Sequence, residues 1–418
     1  MRLLYFVMRF VLKFTLWVYY PRFIIINRPK KRLARTIYMS NHAASFMDPL
    51  AVVARQAPII FFMTRSDIFK PLLKPILWAS HMLPIYRKHD GEDTKKKNEE
   101  VFEKCAKILK GGRSLIVFAE GFTDNIFIRR LKPVKKGAIR IGFLSLEKTN
   151  WKKKIYLQAI GANYSDPNKL GSDCLVSNGE SICLNDYRNE YEKDANKVIL
   201  GLTLRMEQEM RNQITDVRNE KMASFHENVM RITRKGMNAV DTDLRIPLLE
   251  RWEYSKNLAN WFNSRDVENS EELMALKKRL ENYFSLQKKE NVEETPMYNV
   301  ISNNKKIWRN YLQLIIIFPF MVLGILHSYL PYKFIKSYVE KSFKRKVFWG
   351  SVKMLLGFAA IGLFNIPLTI LMVKLFDLPT SVGVLYFLAV IPIVSLFAYK
   401  WFEVYNISKK MRDISRRD

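Results

Sequence analysis

The sequence predicts an α/β domain with a mixed central sheet flanked by helices. To this it joins an N-terminal interfacial helix, a charged helical insert region and a C-terminal hydrophobic helical membrane region. Short apolar runs alternate with helix-like segments between residues 35 and 165, the pattern of strands connected by crossover helices. Residues 185–305 are long, charged and helix-forming, with few strand signals. In the C-terminal third, three apolar stretches are each about long enough to cross a hydrocarbon core of roughly 30 Å. A chain of 418 residues is too long for one small domain. The expected division is 1–27, 28–184, 185–305 and 306–418.

The first segment, "MRLLYFVMRFVLKFTLWVYY", is apolar and aromatic, with Arg2, Arg9 and Lys13 aligned on one helical face. This fits a helix lying in the membrane interface better than one spanning it. A cleaved signal peptide is the competing reading, but Tyr20, Pro21 and the β-rich run "FIII" follow where a small-residue cleavage site would stand.

Next come strand-like "RTIYMS", an Asp48-Pro49 pair expected to supply an N-cap and first helical position ahead of "LAVVARQ", and strand-like "APIIFFMT", "SLIVFAE" and "IYLQAIGANY". "KKNEEVFEKCAKILKGG" reads as a helix closed by glycines. In such a layer structure, functional groups gather in loops at strand ends. Further on, "ANKVILGLTLRMEQEMRNQ" and "SEELMALKKRLENYFSLQKK" read as helices carrying no catalytic constellation.

The membrane region offers stretches at 311–332, from Ser351 to Val373 and from Thr380 to Tyr399. Basic residues flank the first stretch on both sides and also follow the third, whereas "KLFDLPT" between the second and third is nearly neutral. If basic flanks stay cytoplasmic, the second and third stretches form a spanning hairpin. The first then enters and returns or lies in the interface, with a break at Pro319. A plain three-span topology is the second choice.

The formal charge of +29 calls for anionic partners: nucleic acid, a phosphorylated substrate or an anionic membrane face. Nucleic-acid binding would require basic residues interleaved with aromatics or a groove-reading motif, and the sequence has neither. Transport is poorly supported, because the apolar stretches contain few ionisable residues, chiefly Lys353 and His327. The three cysteines, Cys105, Cys174 and Cys183, form no CxxC pair and no metal spacing. They imply a reducing compartment and no structural metal. Cys105 reads as a small buried hydrophobe.

Chemistry concentrates in "SNHAASFMDPL" (40–50). A histidine near its unperturbed pKa of about 6.5 accepts a proton from a hydroxyl and returns it, and a nearby carboxylate fixes its tautomer. His42 in a turn after a strand, with Asp48 at the following helix start, fits that pairing. The alternative makes Asp48 only a helix cap and His42 a solvated loop residue. Further on, "LPIYRK" ends an apolar run with Arg87, a residue type suited to bidentate phosphate binding. "IVFAEG" ends a strand with Glu120-Gly121, where glycine permits close approach of a ligand. The run from Arg129 to Arg140 includes Arg130, Lys132, Lys135 and Lys136, enough charge to hold a phosphate. Each feature alone also fits a solvated surface.

In order and spacing, "NHAASFMD", "LPIYR", "FAEG" and "QAIGANY" resemble the four blocks of the glycerolipid acyltransferases, a family that includes glycerol-3-phosphate and lysophosphatidate acyltransferases. The resemblance covers roughly the first 165 residues and none of 185–418. It implies that His42 is the general base toward an acceptor hydroxyl, with Asp48 orienting it, and that the acyl group passes directly from an acyl thioester without a covalent enzyme intermediate. Arg87 would bind the acceptor phosphate, Glu120 and Gly121 would shape the acceptor site, and Lys136 would make a second phosphate contact. Ser45 as a nucleophile is an alternative, although a hydroxyl in such a turn more often bonds local backbone.

The chain departs from the family pattern in several places. Five residues separate His42 from Asp48 where the family usually has four, a spacing similar to that of a glycerol-3-phosphate acyltransferase-like branch. Ala119 stands for the usual proline, Phe122 for a small hydroxyl residue, and the last block lacks its proline. The implied activity is acylation of glycerol-3-phosphate or 1-acylglycerol-3-phosphate in phospholipid biosynthesis, with no cofactor and no metal. Acyl-coenzyme A or acyl carrier protein would be the donor, membrane lipid a partner, and the catalytic domain would lie on the cytoplasmic side. Another lysolipid or amine-bearing acceptor is the alternative, and a basic membrane-anchored binding protein a more distant one.

Overall fold

The computed structural model describes residues 2–29, 33–55, 60–66, 69, 71, 74–86, 94–302 and 305–416. They form two compact units. The first comprises residues 1–167, 171–223 and 248–264, and the second 168–170, 224–247 and 265–418. The helical stretch 185–305 is thus divided between them.

The first unit is built on a sheet that is seven-stranded among the described residues. Its strands are β1 (Arg22–Ile26), β2 (Thr36–Ser40), β3 (Ile60–Arg65), β4 (Met82–Ile85), β5 (Ser114–Phe118), β6 (Tyr156–Tyr164) and β7 (Asp173–Cys183), in the order β1-β7-β6-β2-β5-β3-β4. β6 and β7 are antiparallel, and every other neighbouring pair is parallel. β2, between β5 and β6, is buried along its whole length, as expected of an apolar strand covered on both faces. β1 falls in the segment that the sequence groups with the anchor, yet it is the edge strand beside β7. β7 carries no clear strand signal because Asn178-Gly179-Glu180 interrupts its apolar run, next to a register shift at Gln158/Ile160 on β6.

The helices of this unit are α1 (Arg2–Tyr19), α2 (Met47–Arg55), α3 (Lys74–Ala79), α4 (Thr94–Lys110), α5 (Gly137–Glu147), α6 (Arg188–Lys193) and α7 (Ala195–Asn212). A later helix, α9, returns to it from residue 248. α1 buries Tyr5, Leu16 and Tyr19 and leaves Phe6, Phe10, Lys13 and Trp17 exposed. Its outward face is therefore aromatic with one cation in the middle. α4 is followed by a turn at Gly111-Gly112, and Gly112 has φ +82°, a left-handed conformation that glycine adopts without strain. Cys105 on α4 is fully buried, and burial pushes its thiol up to about 12, which makes it a core atom.

The cap expected at Asp48 requires a correction. α2 begins one residue earlier, because Met47 N donates to Ala44 O and Asp48 N to Ser45 O, so helical turning starts before the aspartate. Pro49 still falls in the first turn, where no N–H is needed.

α9 (Leu248–Asn263) carries a buried cation. Arg251 is fully buried and donates through Nη1 to Asp173 Oδ2 at 2.6 Å, while Arg22 Nε pairs with the other oxygen of the same carboxylate. One acid on β7 thereby ties α9 and β1 to the sheet.

The second unit contains α8 (Ala223–Thr233), α10 (Glu271–Lys289), α11 (Glu294–Ser302), α12 (Lys305–Ser342), α13 (Trp349–Leu375), α14 (Thr380–Leu385) and α15 (Ile391–Ser415). α14 and α15 are joined by a π-helical turn at Tyr386–Val390. α10 begins at Ser270, whose hydroxyl accepts from Leu273 N, with Glu271 and Glu272 in its first turn and Lys288 and Lys289 in its last. Both features favour a helix there.

Among the described residues three helices are long and apolar enough to cross a membrane: Trp308–Ser342, Lys346–Leu375 and Thr380–Ser415. The break expected at Pro319 does not form, since α12 runs through Pro319 and Pro331. An apolar helix packed on neighbours absorbs a proline as a local loss of one hydrogen bond, and α12 packs on α13 and α15. At the second contact Gly324 lies directly on the Val394 backbone, with no space for a side chain. Between α12 and α13, His327 Nδ1 bonds Asn365 Oδ1, and His327 Nε2 bonds the Tyr386 hydroxyl at 2.8 Å.

Removing one partner of a buried ion pair leaves the other charge uncompensated. Asp173→Asn is therefore expected to lower the stability of the sheet domain by about 3 to 5 kcal/mol, seen as a shift of the denaturant midpoint followed by circular dichroism.

Candidate active site

Register brings the site together. In the parallel pairs, Ser40 on β2 is level with Phe118 on β5 and with Ile160 on β6. Residues two positions beyond these partners therefore meet at the carboxyl ends of the strands. His42 follows Ser40 and Glu120 follows Phe118, and His42 N donates to Glu120 Oε1 at 2.7 Å. Asn41, which is buried, donates from Nδ2 to Ala162 O (3.0 Å) and accepts from Ala162 N at 2.8 Å. The turn holding the histidine is thus fixed on one side by a carboxylate and on the other by a two-point amide contact to β6.

The turn itself folds back on its own helix. Ser45 has φ +52°, a left-handed conformation that reverses the chain within the five-residue spacer. Asp48 Oδ2 then accepts from Ala44 N at 2.9 Å and lies 3.1 Å from His42 Nδ1. Because Asp48 is ionisable and faces Nδ1, the proton of a neutral imidazole is assigned to Nδ1, which leaves Nε2 with a free lone pair. The ring stacks on Phe118 with centroids 4.4 Å apart. Its side chain retains 22% exposure against 0% for Asp48, so the imidazole reaches the surface while the carboxylate against it does not.

Both carboxylates are perturbed. Burial pushes Asp48 above its ordinary value, opposed by its bonds to His42 and to the Ala44 amide. Burial likewise raises Glu120, opposed by the amide of His42 and the charge of Lys132. Glu120 Oε2 receives Lys132 N at 3.4 Å, and Lys132 Nζ lies 3.6 Å from it. Both Glu120 oxygens thus have protein partners, and its place in the site is beneath the histidine turn. Lys132 is buried, also pairs with Asp124 at 3.1 Å, and lies 4.6 Å from the centroid of the Phe122 ring. Phe122, unusual for this position, caps that ammonium and is itself half exposed. Burial alone would raise Asp124, but Arg130 and Lys132 outweigh it and hold the carboxyl below its ordinary range.

The basic run divides into two groups. Arg129 donates to the carbonyls of Tyr164 and Ser165, Arg130 pairs with Asp124 and Glu220, and Lys132 is engaged as described. Lys135, Lys136 and Arg140 are exposed. Gly121 has φ +78°, and a side chain there would strike the Lys135 ammonium, so Lys135 lies directly over this glycine. Lys136 occupies the N-cap position of α5 without a capping bond from its side chain. Among the described residues it has no bond to His42, Asp48 or Glu120. Arg87 lies outside the described residues.

The structure therefore gathers His42, Asp48, Glu120 and Gly121 and leaves Lys136 at the periphery. The sequence reading missed Asn41 and did not separate Lys132 from its neighbours. It also missed Tyr164, whose hydroxyl comes close to Asp48. A polar residue placed directly before His42 at a strand end was the available signal for Asn41. Among the described residues no cluster of three or more His, Cys, Asp or Glu side chains is gathered as for a metal ion.

Residues 24–149 match the family model described as Acyltransferase, the family of glycerolipid acyltransferases. The chain carries an acyltransferase domain. The protein is accordingly an acyltransferase enzyme, and the match runs from β1 to just past α5, taking in the His42 turn and the Glu120-Gly121 end of β5. β6 and β7 lie outside the matched residues yet complete the same sheet, and β6 holds the same turn through Asn41. No curated protein matches the chain.

The two raised carboxyls of this candidate site give a signed pH dependence. Each binds its proton more tightly in the folded than in the unfolded state, so stability falls as pH rises from the ordinary carboxyl range through their raised values. Asp48→Asn is expected to remove part of that fall, measured as the unfolding midpoint against pH.

Proposed function

We propose that the protein is a membrane O-acyltransferase that moves an acyl group from an acyl thioester to a hydroxyl of glycerol-3-phosphate or 1-acylglycerol-3-phosphate. The observation that carries this reading is the partly exposed His42 whose Nδ1 lies 3.1 Å from a fully buried Asp48, a pairing that leaves the Nε2 lone pair to act as base. Nε2 removes the acceptor hydroxyl proton as the oxygen attacks the thioester carbonyl. The tetrahedral oxyanion then collapses, the carbon–sulfur bond breaks, and the imidazolium returns the proton to the leaving thiolate. Asp48 stabilises the imidazolium through Nδ1–H without taking the proton.

A phosphorylated acceptor is supported by the exposed cations on one side of Glu120-Gly121. Lys135 lies over Gly121 and Lys136 follows it at the start of α5. Arg129, Arg130 and Lys132 are engaged by protein acids and carbonyls, so the phosphate contacts fall to Lys135 and Lys136. An acyl carrier protein or coenzyme A donor, itself anionic, suits the same charge. Membrane residence is supported by the three apolar helices and by the exposed Phe6, Phe10, Lys13 and Trp17 of α1, a face suited to the headgroup boundary where acyl chains and lysolipids are found. With basic flanks on the cytoplasmic side, the catalytic domain faces the cytoplasm.

Purified protein offered labelled glycerol-3-phosphate or lysophosphatidate with either class of thioester is expected to acylate one of them. His42→Ala and Asp48→Asn are each expected to lose about 10³-fold or more in kcat while remaining folded. Product only from an amine-bearing or other lysolipid acceptor would reassign the acceptor, and full activity in His42→Ala would overturn the mechanism.

A further inference from the structure

Asp48 uses only one of its two carboxylate oxygens in the bonds described so far. Oδ2 accepts from Ala44 N and His42 Nδ1, whereas Oδ1 is buried and in no full hydrogen bond among the described residues. A dry carboxylate with an empty oxygen is poorly suited to remain ionised, and an orienting acid that takes up a proton no longer holds the Nδ1–H tautomer. Tyr164, the last residue of β6, is also buried, and its hydroxyl likewise lacks a full hydrogen bond. That hydroxyl is near enough to Asp48 to act on its carboxyl, and its ring lies 5.7 Å from that of Tyr20, another neighbour of the same carboxylate. Two buried polar groups without partners, one donor and one acceptor, thus lie close to the acid that orients His42.

We infer that Tyr164 is a positioning residue of the acyltransferase site, its hydroxyl donating to Asp48 Oδ1 so that the carboxylate stays ionised and holds His42 in its base form. This deepens the functional reading above and rests on it.

The surroundings favour this role. The groups facing Asp48 are His42 from the turn after β2, Tyr164 from β6 and Tyr20 from the end of α1. The hydroxyl of Tyr20 is already donated to Pro167 O at 3.1 Å, which leaves Tyr164 as the donor for Oδ1. Glu120, with Lys132 on it, approaches from the β5 end but meets the His42 amide instead. Burial and the neighbouring carboxylate push the Tyr164 phenol well above its ordinary value, so it remains a donor across the working pH range. The Tyr164 ring is held between Tyr20 (5.7 Å between centroids) and Phe127 (6.3 Å), and its carbonyl accepts from Arg129. Tyr164 lies beyond residue 149, where the family match ends.

The sign of the effect is determined. Without the hydroxyl, Asp48 is a stronger base. Whether the pair's proton then resides on the imidazole or on the carboxylate, the acid limb of the pH–rate profile moves upward.

The test uses the full-length protein in detergent with the acceptor it acylates. Tyr164→Phe is expected to lower kcat about tenfold with KM nearly unchanged and to shift the acid limb up by about half a unit or more. 3-Fluorotyrosine at the same position, a stronger donor of almost the same size, is expected to shift it down. Tyr20→Phe removes a neighbouring buried hydroxyl and is expected to cost stability without moving the limb. A Tyr164→Phe protein that melts lower but keeps the wild-type pH profile and kcat would show a purely structural hydroxyl and overturn the inference. If Tyr164→Phe does not fold, an unmoved limb in the fluorotyrosine protein would overturn it equally. Failure of the underlying reading is distinguishable, because His42→Ala would then retain wild-type activity.

Discussion

The Asp48 carboxylate is fully buried and receives both the His42 ring and the Ala44 amide on one oxygen. Most of the order at this end of the sheet follows from the need to satisfy it. An ionised carboxyl out of reach of water is costly unless donors surround it. The chain supplies them by reversing at Ser45, starting α2 early and directing Nδ1 of the histidine inward. The same arrangement suits the histidine to base chemistry, since engaging Nδ1 leaves the Nε2 lone pair on a side chain that is partly exposed. Burial that raises a carboxyl works against folding, and here it falls on the residues that form the site, as is common where stability and function compete.

Strand register is the second constraint. Parallel pairing makes the ends of β2, β5 and β6 level, so a residue a fixed distance past each strand meets its counterparts without long-range coincidence. His42, Glu120 and Ala162 are brought together this way, and the intervening helices have only to return the chain in the right sense. The family match ends before β6, but the β6 amide contact to Asn41 and the tyrosine behind Asp48 lie beyond it. The working end of the domain therefore extends past residue 149, where the family match ends, into the strand that carries the fourth block.

The sequence made several of these features legible and hid others, for physical reasons. Apolar runs long enough to be buried on both faces, such as "TIYMS" and "SLIVF", announce strands, and the His42, Asp48 and Glu120-Gly121 groups stand out because each ends or follows such a run. β7 was obscured by the polar residues at 178–180 beside a register shift, and α5 by the lysines and glycine at its start. Lys132 and Lys136 look alike in a basic run. Only the fold shows that the first is buried between two acids and the second lies on the surface. The charge of Arg251 in a helix reads as solvated, while its partner Asp173 is 78 positions away in a strand that was not recognised. Pro319 suggested a break because the sequence does not display the neighbouring helices on which α12 packs.

The central claim is that the acyl group passes directly to the acceptor under base catalysis by His42, with no enzyme nucleophile. The most direct measurement is to incubate the purified protein with an acyl-labelled thioester in the absence of acceptor, quench in acid and look for covalent label on the chain by intact-mass analysis. The account predicts unmodified protein under conditions in which added acceptor is acylated rapidly. A stoichiometric acyl adduct, on Ser45 or on any cysteine, that is discharged when acceptor is added would contradict it.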